Sequence, residues 1–141
     1  MKIPDAAVEL IKRHESCRLT AYRDSGGVLT IGWGTTLGVT PGLTITQAQA
    51  DEWFARDLEW FATGVQRLVK VPVTDNQFGA LVSLAYNIGL GAFAKSTLLR
   101  WLNAGNYGHA RDEFARWVND GGQRLAGLVK RRAAEVELWD A

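Results

Sequence analysis

The longest helical signal in the chain lies in residues 46–72, which read TQAQADEWFARDLEWFATGVQRLVKVP. Thr46 and Gln49 have the spacing of a capping box, which satisfies free backbone N–H groups at a helix start. Apolar side chains then recur at alternating intervals of four and three residues, and these are Phe54, Leu58, Phe61, Val65 and Leu68. Pro72 disfavours helical geometry at the residue before it. The pattern predicts a helix of more than twenty residues, long enough in a 141-residue chain to connect two lobes with a cleft between them.

The segment before this helix predicts a short helix followed by a small antiparallel sheet. Pro4 suits a first helical turn, and apolar residues form one stripe of a helix over residues 4–14. Two runs with a period of two then flank the turn residues 24–27, Asp-Ser-Gly-Gly, as in a hairpin. Glycines recur within residues 30–36, as they do at strand ends and β-bulges.

The segment after Pro72 predicts only helices. A second capping box at Thr74 and Gln77 opens a helix that Gly89 and Gly91 close, and shorter helices are expected near 96–103, 107–118 and 127–138. We therefore expect a predominantly helical α+β fold in one domain. Its parts are a small β-containing lobe at about 15–45, a connecting helix at about 46–71 and a helical lobe at about 72–141 that includes the N-terminal helix.

Composition argues against several classes of protein. The chain has 16 Lys and Arg against 15 Asp and Glu, so no overall basic field attracts nucleic acid. Residues 95–132 are locally basic, which suits either a solvated surface or a face directed at an anionic wall polymer. Two histidines and one cysteine form no metal-ligand set, and no nucleotide motif is present, so we expect neither metal nor cofactor. Nothing in the sequence offers Cys17 a catalytic base.

Two carboxyl groups near the start of the chain have contrasting surroundings. Glu15 ends the first predicted helix, where the helix dipole and an apolar face favour the protonated acid. Asp24 lies in a polar turn beside backbone amides, which favour the ionised form. Glycosidic cleavage requires one carboxyl to donate a proton while the other stays charged, and Thr30 can hold a water beside Asp24. A helix-terminal Glu and a turn Asp are also ordinary structural residues, so position alone leaves both interpretations open.

Residues 15–34, ESCRLTAYRDSGGVLTIGWG, resemble the signature of the phage-type lysozymes (muramidases, endolysins). In that family the catalytic set is a Glu, an Asp nine residues later and a Thr six residues after that, and Glu15, Asp24 and Thr30 keep both spacings. Blocks within 85–107 and 121–135 also resemble the family, so nearly the whole chain is covered. One departure is Thr35, which stands where the family often has His and affects local packing more than chemistry.

The resemblance implies a lysozyme-like fold and an endolysin that hydrolyses the β-1,4 bond between N-acetylmuramic acid and N-acetylglucosamine, with inversion. Glu15 would protonate the glycosidic oxygen, while Asp24 and Thr30 would activate a water on the opposite sugar face. The resemblance also places Tyr86 and Asn87 at the cleft wall.

Four residues are therefore candidates for substrate binding, and these are Asn87, Tyr86, Tyr22 and Trp33. Asn87 offers a donor and an acceptor to an N-acetyl group. Tyr22 and Trp33 either line the cleft or pack beneath it. His14 points about 100 degrees away from Glu15 on a helix, so it is expected to be structural. We expect Arg131 and Arg132 to form an ion-pairing or wall-facing surface without a catalytic role.

Two other functions remain open. A lytic transglycosylase needs only one catalytic acid and leaves a 1,6-anhydro sugar, and the presence of Asp24 and Thr30 argues against it. A non-catalytic wall-binding module would keep the cleft without the reaction. The N-terminal residues contain no apolar run of the length of a signal or membrane segment. We expect a monomer without stable membrane association, which accumulates in the host cytoplasm and acts on peptidoglycan in the periplasm after release. The alternative is that the chain is the soluble part of a longer, membrane-anchored protein.

Overall fold

The computed structural model describes residues 1–141 and is predominantly helical. The α-helices span Asp5–Glu15 (α1), Gln47–Leu68 (α2), Asp75–Ile88 (α3), Leu90–Ala94 (α4), Thr97–Asn103 (α5), Tyr107–Glu113 (α6) and Ala126–Asp140 (α7). The strands span Arg18–Arg23 (β1), Leu29–Gly32 (β2), Asn119–Asp120 (β3) and Gln123–Arg124 (β4), and a 3₁₀ turn covers Phe114–Arg116. None of the helices combines the length and the apolar character needed to cross a membrane. The expected helical α+β class is confirmed.

The long helix α2 begins where its capping box predicts. The backbone N–H of Gln49 donates to Thr46 Oγ1 at 3.1 Å, and the backbone N–H of Thr46 donates to Gln49 Oε1 at 3.0 Å. The helix ends at Leu68, earlier than the proline predicts. Asn103 explains the early end, because its side chain donates to the Leu68 carbonyl at 3.0 Å and accepts from the Lys70 N–H at 2.8 Å. These bonds replace the ones that further helical turns would supply.

The small sheet forms around the predicted turn. β1 and β2 pair antiparallel, with Tyr22 opposite Thr30. Beneath them, Ile31 packs with Ile45 and with Ala50 from the first turn of α2. This minor core is separate from the main one, so α2 is the element that touches both.

The helical part is organised around α3, in which every residue from Phe78 to Tyr86 is buried. Helices α1, α2, α4 and α7 all pack against it. The approach of α1 is close: a Cβ placed on Gly79 would lie 2.8 Å from the Ala7 Cβ. The N-terminal helix is therefore part of the helical core, although the sheet follows it directly in sequence.

The second half of the chain differs from the all-helical expectation. Gly89, at φ +92°, ends α3, but Gly91 lies inside the unpredicted helix α4 rather than closing α3. The helix expected over 107–118 ends at Glu113 and continues only as the 3₁₀ turn. Residues 119–124 form a hairpin of β3 and β4, because Gly121 and Gly122 both adopt the positive φ that a two-residue turn requires.

Candidate active site

The molecule contains an open cleft with a volume of about 1170 Å³. Its walls come from the β1–β2 turn and the loop after β2 on one side, and from α2, α3 and residues 117–128 on the others. The three residues of the expected catalytic set, Glu15, Asp24 and Thr30, all line it. The fold therefore brings the three residues into one cavity.

Glu15 is the last residue of α1, and its side chain is 19% exposed. Its Oε2 accepts a hydrogen bond of 2.5 Å from Nη1 of Arg131, on α7. The sequence predicts only an apolar face and a helix end around Glu15. The structure adds a buried guanidinium that contacts the carboxyl.

The loop after β2 passes directly over the Glu15 carboxyl. Gly34 has φ +101°, and a Cβ placed on it would lie 2.8 Å from Glu15 Oε1. Only glycine fits both the backbone conformation and this close approach. The next residue, Thr35, is buried and donates from Oγ1 to Asp57 Oδ2 of α2 at 2.6 Å. The residue that departs from the family pattern thus fastens the loop to the long helix.

Asp24 is held by its own turn. Its Oδ1 accepts the backbone N–H of Gly26 at 2.9 Å and that of Val28 at 2.8 Å. The expected contact with backbone amides is confirmed. The residue is exposed to the cleft, and no protein group donates to its Oδ2.

Thr30 lies on β2 opposite Tyr22, and it is 5% exposed. Its hydroxyl donates to the carbonyl of Val28 at 2.9 Å. Because that bond uses the hydroxyl proton, the oxygen lone pairs remain available to accept a hydrogen bond from a water in the cleft.

Arg131 and Arg132 are each 2% exposed, so the expectation that they form a surface is wrong, whereas the expected ion pairing is confirmed. Glu135, which is fully buried, accepts from Ser83 Oγ at 2.5 Å, from Arg132 Nη2 at 3.0 Å and from Arg131 Nε at 3.4 Å. Arg131 also donates to the Ser83 carbonyl at 3.1 Å. Burial lowers the pKa of Arg132, and the Glu135 carboxylate opposes that effect.

The four candidate substrate-binding residues occupy different positions. Tyr22, Tyr86 and Asn87 line the cleft, whereas Trp33 does not. Trp33 packs against Phe54 instead, with its indole N–H donating to Asp51 at 2.8 Å. The Asn87 amide makes no hydrogen bond within the protein, so both of its functional groups are available to a ligand.

The two tyrosines differ in how firmly they are held. Tyr86 is buried and donates from its hydroxyl to the Trp33 carbonyl at 2.7 Å. Burial raises the pKa of Tyr86, and the charge of Glu15 raises it further, so the hydroxyl keeps its proton. Tyr22 is only partly buried, and the Arg18 guanidinium lies 4.1 Å from its ring centroid. His14 bonds the Leu10 carbonyl through Nδ1 at 2.9 Å, as expected for a structural residue.

Sequence patterns did not reveal the apolar and polar contacts at the cleft rim. Four of the six exposed large hydrophobic residues line the cleft, and these are Val28, Leu37, Trp60 and Leu125. Ser25, in the β1–β2 turn, also hydrogen-bonds Asp120 of β3. The sequence signal for the β3–β4 hairpin, which carries Asp120, is the Asp-Gly-Gly turn at 120–122.

The chain is similar in sequence to known proteins of one family. The family model "Phage lysozyme" matches residues 12–135. An endolysin of Bacillus phage PZA is 44% identical over the whole chain, but the chain spans only 56% of that relative's length. The endolysin of Salmonella phage P22 is 42% identical, over 94% of each sequence.

Solved structures extend the similarity to the fold. The muramidase domain of SpmX from Asticaccaulis excentricus superimposes with a TM-score of 0.88 and 39% identity, over 99% of this chain and 98% of that one. A P22 lysozyme mutant superimposes with a TM-score of 0.81 and 41% identity, over 100% and 99% of the two chains. The chain has the lysozyme-like fold that these structures share, and it belongs to the phage lysozyme family.

Proposed function

We propose that this protein is an endolysin that hydrolyses the β-1,4 bond between N-acetylmuramic acid and N-acetylglucosamine in bacterial peptidoglycan. The observation that carries the proposal is the meeting of Glu15, Asp24 and Thr30 in one open cleft. Membership of the phage lysozyme family supports the same activity.

Glu15 is the general acid in this mechanism. It donates its proton to the glycosidic oxygen as the bond breaks, and the carboxylate left behind is stabilised by Arg131, whose Nη1 is already 2.5 Å from Oε2. A donor positioned before the reaction lowers the energy of the developing charge without further reorganisation. Arg131 therefore acts on the acid and not on the sugar.

Asp24 and Thr30 position the attacking water. The amides of Gly26 and Val28 donate to Oδ1 of Asp24, so Oδ2 is left to accept a proton from water. Thr30, whose own proton is used by the Val28 carbonyl, accepts a second hydrogen bond from the same water. Attack from the face opposite to Glu15 inverts the anomeric carbon.

The biological setting belongs to the same proposal. The enzyme acts as a monomer consisting of one lysozyme-like domain, with peptidoglycan as its partner, during lysis of a phage host. It accumulates in the host cytoplasm and reaches the wall in the periplasm after a separately made pore opens the membrane.

A lysis assay on bacteria with a permeabilised outer membrane tests the activity. The wild type clears the suspension, whereas Glu15→Gln, Asp24→Asn and Thr30→Val remain folded and lose most of the activity. Glu9→Gln is the matched control, because it neutralises an exposed Glu on the same helix. Absence of clearing by the folded wild type indicates a wall-binding module, and wild-type rates for Glu15→Gln refute the assignment of the acid.

Analysis of the products separates the two enzyme classes. Mass spectrometry of digested wall detects a free reducing end after hydrolysis and a 1,6-anhydro sugar after transglycosylation. NMR of the fresh product reports its anomeric configuration. An α-anomer supports direct attack by water, whereas a β-anomer requires a covalent or otherwise retaining route.

A further inference from the structure

Trp60 is the most solvent-exposed of the six tryptophans. It is 61% exposed, although exposing a large aromatic surface to water is unfavourable. Its ring rests against Phe61, with the ring centroids 5.0 Å apart and the planes at 90°. That contact supports one part of the indole while the rest faces the cleft.

Trp60 lies beside the reacting groups and not among them. It follows Asp57 by one turn of α2, and Asp57 accepts the hydrogen bond of Thr35, next to Gly34 over the Glu15 carboxyl. Side chains at this spacing are neighbours on a helix surface. The indole therefore lies further along the cleft wall than the glycosidic bond that Glu15 would protonate.

The cleft continues past Trp60. A second groove of about 340 Å³ lies along the same helix, and Arg56 and Trp60 line both cavities. Thr63 and Arg67 add hydrogen-bond donors to the second groove, and Glu59 adds an acceptor. A chain that leaves the cleft on this side crosses the indole and enters this second groove.

These observations fit a saccharide better than an apolar ligand. A β-linked pyranose has an apolar face formed by its C–H groups and a polar edge formed by its hydroxyl and N-acetyl groups. A flat, exposed indole covers the apolar face, and Leu37, which is 72% exposed, adds apolar surface in the same cleft. The donors of the adjoining groove match the polar edge.

We propose that Trp60 is a stacking platform for an N-acetylhexosamine ring of the glycan strand, at a subsite beyond the cleaved bond. The inference rests on the proposed function, because it assumes that a glycan occupies the cleft. It adds a specific contact on α2 that the catalytic set does not require.

The test measures binding without turnover. Glu15→Gln serves as the parent, and chito-oligosaccharides of increasing length serve as the probe in isothermal titration calorimetry. Adding Trp60→Ala to this parent weakens binding of the longer oligosaccharides about tenfold. This factor corresponds to the loss of roughly 55 Å² of buried apolar ring surface. Trp60→Phe weakens it less. Trp101→Ala is the matched control, because Trp101 is exposed but lies outside both cavities.

Each outcome decides the question. Weaker binding that is specific to Trp60 and grows with oligosaccharide length supports the platform, as does a raised KM with an unchanged kcat for Trp60→Ala in the active enzyme. Equal binding by Trp60→Ala and its parent refutes the platform and leaves the proposed function intact. If the folded parent binds no oligosaccharide of any length, and the wild type clears no cells, both proposals fail.

Discussion

Oε2 of Glu15 and Nη1 of Arg131 are 2.5 Å apart, although 116 positions separate the two residues. Arg131 is in turn fixed by the Ser83 carbonyl and the Glu135 carboxylate. The expected acid of the cleft is thus joined to the last helix through a buried network. This network includes two arginines and two glutamates, so its formal charges balance when both carboxyls are ionised.

Removing Arg131 should damage both stability and activity. Arg131→Ala leaves Glu15 and buried Glu135 without a shared partner, and breaking a buried ion pair in this way costs about 3–5 kcal/mol. Arg131→Lys keeps the charge but not the forked geometry, so it should lose less stability and still lose activity. Urea unfolding and lysis rates measure the two effects. Arg116→Ala, at an exposed arginine, is the control. An Arg131→Ala protein with wild-type stability contradicts the importance of the network.

Adding one methyl group at Gly34 should impair catalysis more than folding. The Cβ of Gly34→Ala would lie 2.8 Å from Glu15 Oε1, so the carboxyl must move. A displacement of about 1 Å at a reacting group can lower the rate about 100-fold. The positive φ adds about 1–2 kcal/mol of strain.

Gly42→Ala separates strain from displacement. Gly42 also has a positive φ, of +79°, but no atom lies within 4 Å of its added Cβ. Thermal unfolding should show comparable losses for the two variants, while only Gly34→Ala loses activity. Equal activity of both variants would show that the carboxyl tolerates the methyl group.

Thr35 should contribute through its hydroxyl. Thr35→Val keeps the shape but leaves the Asp57 carboxylate without its 2.6 Å donor, at a cost of about 1–3 kcal/mol. Thr35→Ser keeps the donor and loses only a methyl group, about 1 kcal/mol. A double-mutant cycle of Thr35→Val with Asp57→Asn, measured by denaturant unfolding, gives the interaction energy between the two side chains. A coupling energy near zero would show that the bond does not hold the loop.

The ion pair of Asp140 with Arg111 should make the free energy of unfolding depend on pH in the acidic range. The hydrogen bond from Arg111 lowers the pKa of Asp140 in the folded protein. A lowered pKa stabilises the fold above the unfolded value of about 3.9, and this stabilisation is lost as the pH falls through the folded value. The difference in unfolding free energy between wild type and Asp140→Asn should therefore be present at neutral pH and disappear below about pH 4. Asp112→Asn, which removes the longer Arg111 contact of 3.5 Å, is the control. A difference that is independent of pH would exclude the ion pair as its source.

Several features of this protein follow from the sequence by itself, and they depend on neighbours in the chain. The capping boxes at Thr46 and Thr74, the β1–β2 turn and the amide contacts of Asp24 all join residues that are two to four positions apart. The spacing of Glu15, Asp24 and Thr30 is likewise a property of the local sequence, and it indicates the family without reference to the fold. Such features are predictable because backbone hydrogen bonds and short turns are set by nearby residue types.

Tertiary structure alone decided which side chains share a surface or a buried pocket. Arg131 reads as a surface residue in sequence but pairs with Glu15, and Trp33 lies outside the cleft whereas Trp60 lines it. The hydroxyl of Thr35 finds its partner 22 residues away, on α2. These outcomes depend on how α2, α3 and α7 pack, because burial and ion pairing are properties of elements brought together from distant parts of the chain.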